Sequence, residues 1–167
     1  AILVSGIVLA IGLSILSVVL KQLQLAGVAR ESEIAFHAAY AGVECAKYYD
    51  TSTSGGNKFD VPGSPNNFTC MGVTSTNPTS RASGVVQPFQ FTWGVSPDEK
   101  CTKVSVWKFY NATNPIDPMM VEGKEFRAPN GCPAGVECTV VKSKGYNKGC
   151  SDLTGARTVE RELTTSF

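Results

Sequence analysis

The sequence has few charged side chains and no excess of either sign. Charged residues make up 17% of its 167 residues, below the roughly 25% typical of soluble domains. Its 15 basic and 14 acidic side chains leave a formal net charge of +1. A nucleic-acid-binding protein normally presents a strong basic field, which this composition does not supply. We therefore predict no nucleic-acid partner.

Motifs of nucleophilic and metal-dependent catalysis are also missing. His37 is the only histidine, so any Ser-His-Asp or Cys-His arrangement would have to use it. The sequence contains no H-E-x-x-H, G-x-S-x-G or G-x-x-x-x-G-K-[ST] motif. Asp98, Glu99 and residues 111–117 lack the alternating oxygen ligands and the glycine of a calcium loop. We predict that the protein is not an enzyme and that it needs no cofactor and no metal.

The six cysteines have neither the spacing of a zinc site nor that of a redox motif, because no C-x-x-C pair occurs. Their even number and their absence from residues 1–44 indicate disulfides formed in an oxidising exterior. The sequence alone leaves several connectivities open. The short spacing around Pro133 and Gly135 favours a local Cys132–Cys138 bridge. For the other four cysteines we predict Cys45–Cys70 and Cys101–Cys150.

Residues 1–20 contain no charged residue and no Asn, Gln or Pro. As a helix they would be about 30 Å long, which matches the hydrocarbon core of a bilayer. No basic stretch precedes them, so they do not look like a removable secretory signal. Ala1 is instead interpreted as an N-terminus produced by cleavage before the apolar segment. Small residues in this segment favour close helix approach over a plain membrane anchor, which is the alternative interpretation.

The helical pattern continues beyond the apolar segment. Residues 21–50 contain no proline, and small or apolar residues recur there at spacings of three and four, as on one buried face of a helix. These positions are Val28, Ile34, Ala35, Ala38, Ala41, Gly42, Cys45 and Tyr49. We predict one continuous helix of about 50 residues, far longer than the average of roughly 11–12.

The composition changes after Asp50. Residues 51–88 are rich in Gly, Pro, Asn, Ser and Thr, which is typical of a loop. Strands are predicted beyond it from alternating apolar and polar residues and from β-forming residue types. They cover Phe89–Trp93, Thr102–Tyr110 with a phase slip between Val106 and Trp107, and the regions 121–127, 138–144 and 157–167. An antiparallel sheet with one face on the amphipathic half of the helix gives an α+β fold.

Three stretches resemble the type IV pilin and pseudopilin family. They are RESEIAF at residues 30–36, AGVECA at residues 41–46, and an ending that combines GYN at 145–147, Cys150 and RTVER at 157–161. Their order, placed after an apolar N-terminal helix, is most similar to pilin-like proteins of the PilX group. The resemblance covers residues 1–50 and 137–167 and says little about residues 51–136.

The resemblance implies a type IV pilin fold in three parts. Residues 1–24 form a hydrophobic helix that spans the inner membrane before assembly and lies in the filament core afterwards. Residues 25–50 form the amphipathic half of the same helix, and residues 51–167 form an extracellular head. The polymerisation surface would comprise Ala1, Ile2, Leu3, Val4, Ser5, Gly6, Ile7, Leu9, Ile11, Leu13, Leu16 and Leu20.

The same resemblance implies the partners. They are identical subunits in a helical filament, the membrane, a pilus assembly machinery and a prepilin peptidase that leaves Ala1 N-methylated. We predict a structural subunit of a surface filament for adhesion, motility or attachment. Lys142, Lys144 and Lys148 could pair with Glu122 or Glu125 of another copy.

Two departures from the family favour alternatives. Most major pilins have Glu at the fifth mature position, where this chain has Ser5, and the family's proline near the membrane boundary is missing. Without that proline, Gly12, Ser14 and Ser17 are candidate weak points of the helix. A minor pilin or secretion pseudopilin that primes or caps a filament is therefore an alternative. A membrane-anchored extracytoplasmic binding domain is another.

Overall fold

The computed structural model describes residues 2–51, 59, 69–70, 72–74, 89–94, 100–110, 113–114, 119–126 and 132–167. Ala1, Asp98, Glu99 and most of the predicted loop 51–88 lie outside these residues. Helix α1 covers Ile2–Thr51. The strands within the described residues are β1 Thr69–Cys70, β2 Val73–Thr74, β3 Phe89–Trp93, β4 Thr102–Tyr110, β5 Met119–Val121, β6 Lys124–Phe126, β7 Glu137–Tyr146 and β8 Glu160–Ser166.

The predicted long helix is present as one uninterrupted element. Helix α1 has 50 residues, which corresponds to a length of about 75 Å at ~1.5 Å per residue. It contains no proline, and it ends where the sequence becomes rich in Ser, Thr and Gly, which favour turns over helix. The Thr51 hydroxyl donates to the carbonyl of Lys47 at 2.8 Å in the last turn.

Helix α1 packs on a four-stranded antiparallel sheet in the order β3-β4-β7-β8. One row of partners crosses all four strands, because Phe91 pairs with Val104, Val104 with Ser143, and Ser143 with Leu163. This row faces the helix and belongs to the main core together with Phe89, Trp93, Val106 and Val141. The α+β architecture predicted from the sequence is therefore present.

Small residues let the helix lie directly on the sheet. The buried helix positions are Ala35, Ala39, Gly42, Val43 and Ala46. A Cβ atom added to Gly42 would lie 2.8 Å from Val104 Cγ2 and 2.9 Å from Thr102 Cγ2. A Cβ atom added to Gly145 would run into the helix backbone, lying 2.9 Å from the carbonyl carbon of Ala38. The helix and β7 therefore approach so closely that neither glycine can carry a side chain without a shift.

The buried face of the helix differs partly from the predicted one. Val28 belonged to the predicted stripe but is exposed, whereas Ala39, Val43 and Ala46 were not in it and are buried. Val28 lies before the part of the helix that is buried on the sheet, since the first buried helix residue within the described part of the chain is Ala35.

The phase slip predicted in β4 is wrong. The pairing of β4 with β7 runs without interruption from Thr102 opposite Gly145 to Tyr110 opposite Glu137. The alternation ends because both faces are buried from Val106 onward. Trp107 and Phe109 lie on the face away from the helix, in a second cluster with Val121, Cys132, Cys138 and Val140.

The single strand predicted near residues 121–127 is also wrong, because two strands form a hairpin there. β5 pairs with β6, and Val121 lies opposite Lys124. Glu122 and Gly123 have φ values of 49° and 76°, as in the tight turns that match the twist of a hairpin. Glutamate rarely adopts a positive φ, so Glu122 is not a strong turn signal.

The last strand begins later than predicted, at Glu160. Asn147 is buried and its side-chain amide donates to the carbonyl of Arg157 at 2.9 Å, while its Oδ1 accepts from the amide of Val159 at 2.8 Å. Arg157 has a φ of 66°. These two hydrogen bonds hold residues 157–159 in a loop.

We expect Gly42→Ala to destabilise the head and Gly27→Ala to leave it unchanged or slightly more stable. Gly42 faces the sheet, whereas nothing lies within 4 Å of a Cβ atom built on Gly27. Overpacking of this kind costs about 1–3 kcal/mol, and replacing an exposed helical glycine by alanine gains up to about 1 kcal/mol. Thermal unfolding of the detergent-solubilised full chain measures both. Equal melting temperatures for the two variants would contradict the close approach.

Candidate functional site

The first half of helix α1 is apolar and exposed. Its described large apolar side chains have exposed fractions from 43% for Val19 to 70% for Leu25. They are Val4, Ile7, Leu9, Ile11, Leu13, Ile15, Leu16, Val18, Val19, Leu20, Leu23, Leu25 and Val28. We call this set the apolar half-helix. An apolar surface of this size is far larger than soluble monomers normally expose, so it marks a site of contact with lipid or protein.

The helix is also long and apolar enough to cross a membrane. The candidate span lies within Leu9–Thr51, with a mean hydropathy of 1.7 in its most apolar window and 0% of that window buried. Signal sequences share this composition, and so do core helices of soluble proteins. Core helices are buried, however, and this segment is not.

The predicted polymerisation residues are placed as follows. Val4, Gly6, Ile7, Leu9, Ile11, Leu13, Leu16 and Leu20 are helical and exposed. Ala1 lies outside the described residues, as do the side chains of Ile2, Leu3 and Ser5, whose backbone is helical. The Ser17 hydroxyl donates to the carbonyl of Ser14 at 2.8 Å, so it is satisfied within its own helix, as a polar group in an apolar environment must be.

The six cysteines form three disulfides, and the pairs are those expected from the sequence. Cys45–Cys70 joins the helix to β1 with a Cα–Cα distance of 6.0 Å, and Cys132–Cys138 closes a short loop at 5.8 Å. Cys101–Cys150, at 4.7 Å, ties the residue before β4 to the short 3-10 helix Cys150–Asp152. Each bridge restricts the unfolded chain and typically contributes 2–4 kcal/mol.

The lysines expected to bind another copy have partners within the chain. Lys142 contacts Glu122 and lies 3.5 Å from Glu162. Lys144 Nζ lies 2.9 Å from Glu160 Oε1, and Lys148 Nζ lies 3.3 Å from Asp152 Oδ2. Each of these lysines thus has a carboxylate partner within the chain, and pairing between copies stays a prediction. Glu122 reaches Lys142 because the β5–β6 turn places it over the sheet.

These pairs on the outer face of the sheet shift the pKa values of their members. The hydrogen bond to Glu122 raises the pKa of Lys142, and the hydrogen bond to Glu160 raises that of Lys144. Partial burial acts to raise the pKa of Glu160, but hydrogen bonds from Lys144 and Tyr146 lower it overall. Burial, followed by the hydrogen bond to Glu160, raises the pKa of Tyr146 well above its ordinary value. All four groups therefore keep their neutral-pH charge over a wide pH range.

A second charged group lies in the interior, where the helix ends. Lys108 contacts Asp50, and its Nζ lies 3.7 Å from Glu137 Oε2. The Thr139 hydroxyl donates to Asp50 Oδ2 at 2.7 Å. Sequence reasoning missed this group, although its signal was present, because Lys108 has the same phase along β4 as the buried residues Val104 and Val106. The predicted phase slip after Val106 would place Lys108 on the opposite face.

The sole histidine, His37, contacts residues of its own helix. His37 Nε2 lies 3.7 Å from Glu33 one turn earlier, and both side chains are exposed. The ring of His37 also meets that of Phe36 edge to face. Among the residues that the structure describes, no group of three His, Cys, Asp or Glu side chains is placed to hold a metal ion.

Comparisons with family models, with curated proteins and with solved structures give no match to this chain.

We expect Lys144→Gln to lower the stability of the head at neutral pH by less than about 1 kcal/mol, because the pair is partly exposed to water. The raised pKa of Lys144 means that its contribution is fully present below 10.5 and is lost as pH rises through the folded-state value. The lowered pKa of Glu160 means that its contribution is present above 4.5 and is lost as pH falls through the folded-state value.

The difference in stability between wild type and Lys144→Gln should therefore persist from about pH 5 to about pH 10 and shrink outside that window. Denaturant unfolding at a series of pH values measures it. Lys124→Gln is the control, because Lys124 is exposed on β6. A difference for Lys144→Gln that does not change between pH 7 and pH 3 would contradict the assignment.

Proposed function

We propose that this chain is a structural subunit that polymerises through its N-terminal helix into an extracellular filament of the type IV pilus kind. The observation that carries the proposal is the apolar half-helix, which is exposed along its length although it continues directly into a helix that is packed on a folded head. One continuous helix thus joins an apolar surface, whose exposure to water is unfavourable, to a folded head that is suited to water.

The energetics of the half-helix favour contact with copies of itself. Removing apolar surface from water contributes about 25 cal/mol per Å², and both lipid and neighbouring helices provide this gain. Gly6, Gly12, Ser14 and Ser17 add small side chains along the segment, which permit close approach of helix backbones. In the proposed cycle, the segment spans the cytoplasmic membrane before assembly and exchanges lipid for neighbouring helices in the filament core.

The head has features expected of a domain outside the cell. All its cysteines are paired in disulfides, which persist in oxidising environments. Lys142 and Lys144 on the outer sheet face are paired with glutamates of the same chain, which lowers the electrostatic repulsion between packed heads. By the resemblance in the sequence, a prepilin peptidase and a pilus assembly machinery would be its partners.

A second candidate is a minor pilin or secretion pseudopilin that primes or caps the filament. The observation that favours it is Ser5, which stands where most major pilins have glutamate. A subunit present in a few copies has less need of a charge that sets the register between successive subunits. A non-polymerising, membrane-anchored binding domain is a third candidate.

Immunogold electron microscopy of producing cells distinguishes the three candidates, with antibodies raised against the head. Labelling along the whole length of surface filaments supports a shaft subunit. Labelling confined to tips or bases supports the minor subunit instead, and diffuse envelope labelling without filaments supports the anchored domain.

We expect Leu13→Arg to abolish filaments while leaving the head folded. Leu13 is 60% exposed in the chain, so the free subunit loses nothing, but a charge in the middle of an apolar helix costs roughly 2.5–3.5 kcal/mol per subunit in a bilayer. Lys47→Gln is the control, because Lys47 is an exposed polar residue of the same helix. Filament yield by sedimentation and head stability by thermal unfolding are measured together. Normal filaments from Leu13→Arg would exclude the half-helix as the polymerisation surface.

A further inference from the structure

Four polar side chains meet where helix α1 ends on the sheet. Asp50 is next to the last residue of α1, and Lys108 and Thr139 are direct partners across β4 and β7. Glu137 lies two residues before Thr139 and therefore on the same face of β7. Lys108 Nζ contacts Asp50 Oδ1 and lies 3.7 Å from Glu137 Oε2.

The amine and one carboxyl of this group are out of water. The side chain of Lys108 is 3% exposed and that of Asp50 is 7% exposed, whereas Glu137 is 34% exposed. Each element places a fully buried apolar residue next to the pair, namely Ala46 one turn before Asp50, Val106 before Lys108 and Val141 after Thr139. The pair thus lies in an apolar site, and Glu137 connects that site to solvent.

Asp50 and Lys108 bring a carboxyl and an amine together in a site that is almost closed to water. Burying ionised groups is costly even when they are paired. Joining the Asp50 carboxylate to the Lys108 ammonium as an amide, with loss of water, would remove one buried charge of each sign. The remaining carboxylate, Glu137, is the member that reaches solvent.

We propose that Lys108 and Asp50 condense spontaneously to an isopeptide bond between Lys108 Nζ and Asp50 Cγ, with Glu137 as the proton-transfer group. This inference does not depend on the proposed function. The fold holds the amine against the carboxyl, and such positioning can replace a very large concentration of reactant. The reactive forms are the neutral amine and the neutral acid, which transfer of one proton from Lys108 to Asp50 provides.

The reaction balances within these residues. One proton passes from the Lys108 ammonium to Asp50 Oδ1, and the neutral amine attacks Cγ. Glu137 takes a proton from the nitrogen and returns it to Oδ1, which leaves as water. The Cγ–Oδ1 bond breaks, the Cγ–Nζ bond forms, and Glu137 ends as it began. The Thr139 hydroxyl, 2.7 Å from Oδ2, stabilises the charge that develops on that oxygen.

The bond would fix the last turn of the helix to β4, a central strand of the sheet. Cys45–Cys70 already ties the helix to β1, but β1 pairs with β2 and not with the four-stranded sheet. An amide between Asp50 and Lys108 would link α1 to β4 directly and would resist reducing agents.

Mass spectrometry of the reduced, full-length protein tests the proposal. A tryptic digest is expected to contain one branched peptide that joins the segments around Asp50 and Lys108, with a mass lower than their sum by one water molecule. Trypsin is expected not to cut after Lys108, because its side chain is acylated. Unmodified Lys108 and Asp50 peptides in the wild-type digest would overturn the proposal, and so would a branch at any other lysine.

Variants assign the roles. Lys108→Arg keeps the charge but has no reactive amine, and Asp50→Ala has no carboxyl, so both are expected to lack the branched peptide and to migrate more slowly than wild type on a reducing denaturing gel. Glu137→Gln keeps the size of the side chain and is expected to leave most of the chain unbranched. Full branching in Glu137→Gln would overturn the role of Glu137.

Lys142→Arg is the matched control. Lys142 also contacts one glutamate and lies near a second, but its pair with Glu122 is more open to water, since the Glu122 side chain is 53% exposed. This variant is expected to keep the branched peptide in full. Loss of the branch in Lys142→Arg would contradict the assignment to the buried site.

Discussion

The structure depends on the direct contact between the backbones of helix α1 and strand β7. Gly42 on the helix and Gly145 on the strand have no room for a Cβ atom, and the Thr102 hydroxyl donates to the carbonyl of Ala38 at 3.1 Å between them. β7 is a central strand, paired with both β4 and β8 along most of its length. Fixing the helix on β7 therefore fixes it on the whole sheet, and because α1 is one element, the same contact orients the apolar half-helix relative to the head.

The two faces of the sheet are stabilised by different means, which explains why β4 and β7 are its longest strands. The helix face is mainly apolar, but it also carries the buried hydroxyl residues Thr102 and Ser143 and, at one end, the site of Lys108 and Asp50. The outer face is apolar at one end, where the hairpin β5–β6 brings Val121 onto Trp107 and Phe109. At its other end it carries the pairs of Lys142 and Lys144 with glutamates of β8. β4 and β7 are long because each contributes residues to an apolar core on both faces of the sheet and also extends under the charged patch. Lys142 belongs to both regions, because its partner Glu122 comes from the hairpin turn.

The sequence predicts the parts of the fold that follow from the periodicity of apolar residues. It does not predict an unusual backbone conformation, or which of several alanines on a helix is buried. The absence of proline predicted the uninterrupted helix, and period-2 alternation and β-forming residues located β3 and β4. The turn at Glu122 was not predictable, because it needs a positive φ at a residue that rarely adopts one. The buried stripe of the helix was predicted only in part, because alanines occur on every side and only their contact with the sheet distinguishes Ala39 and Ala46 from Ala41. The site of Lys108 was hidden for a related reason, since two buried faces erase the alternation that marks a strand.

The positions of the disulfide and the ion pair on the helix determine how the head would resist a force applied through the helix. In the proposed filament, load on a subunit would enter through the apolar half-helix and reach the head along residues 30–50. Near the start of this segment, Arg161 donates to the Ser32 hydroxyl at 2.8 Å, an exposed contact. The close contacts of Gly42 and Gly145 lie in the middle of the segment. Cys45–Cys70 and the Asp50–Lys108 contact come last, in the final two turns of α1. Of these two, Cys45–Cys70 joins the helix to β1, whereas Asp50 contacts Lys108 of β4 in the four-stranded sheet. A pull along the helix axis loads the contacts between helix and sheet together, and the Asp50–Lys108 contact resists it at the last turn of the helix.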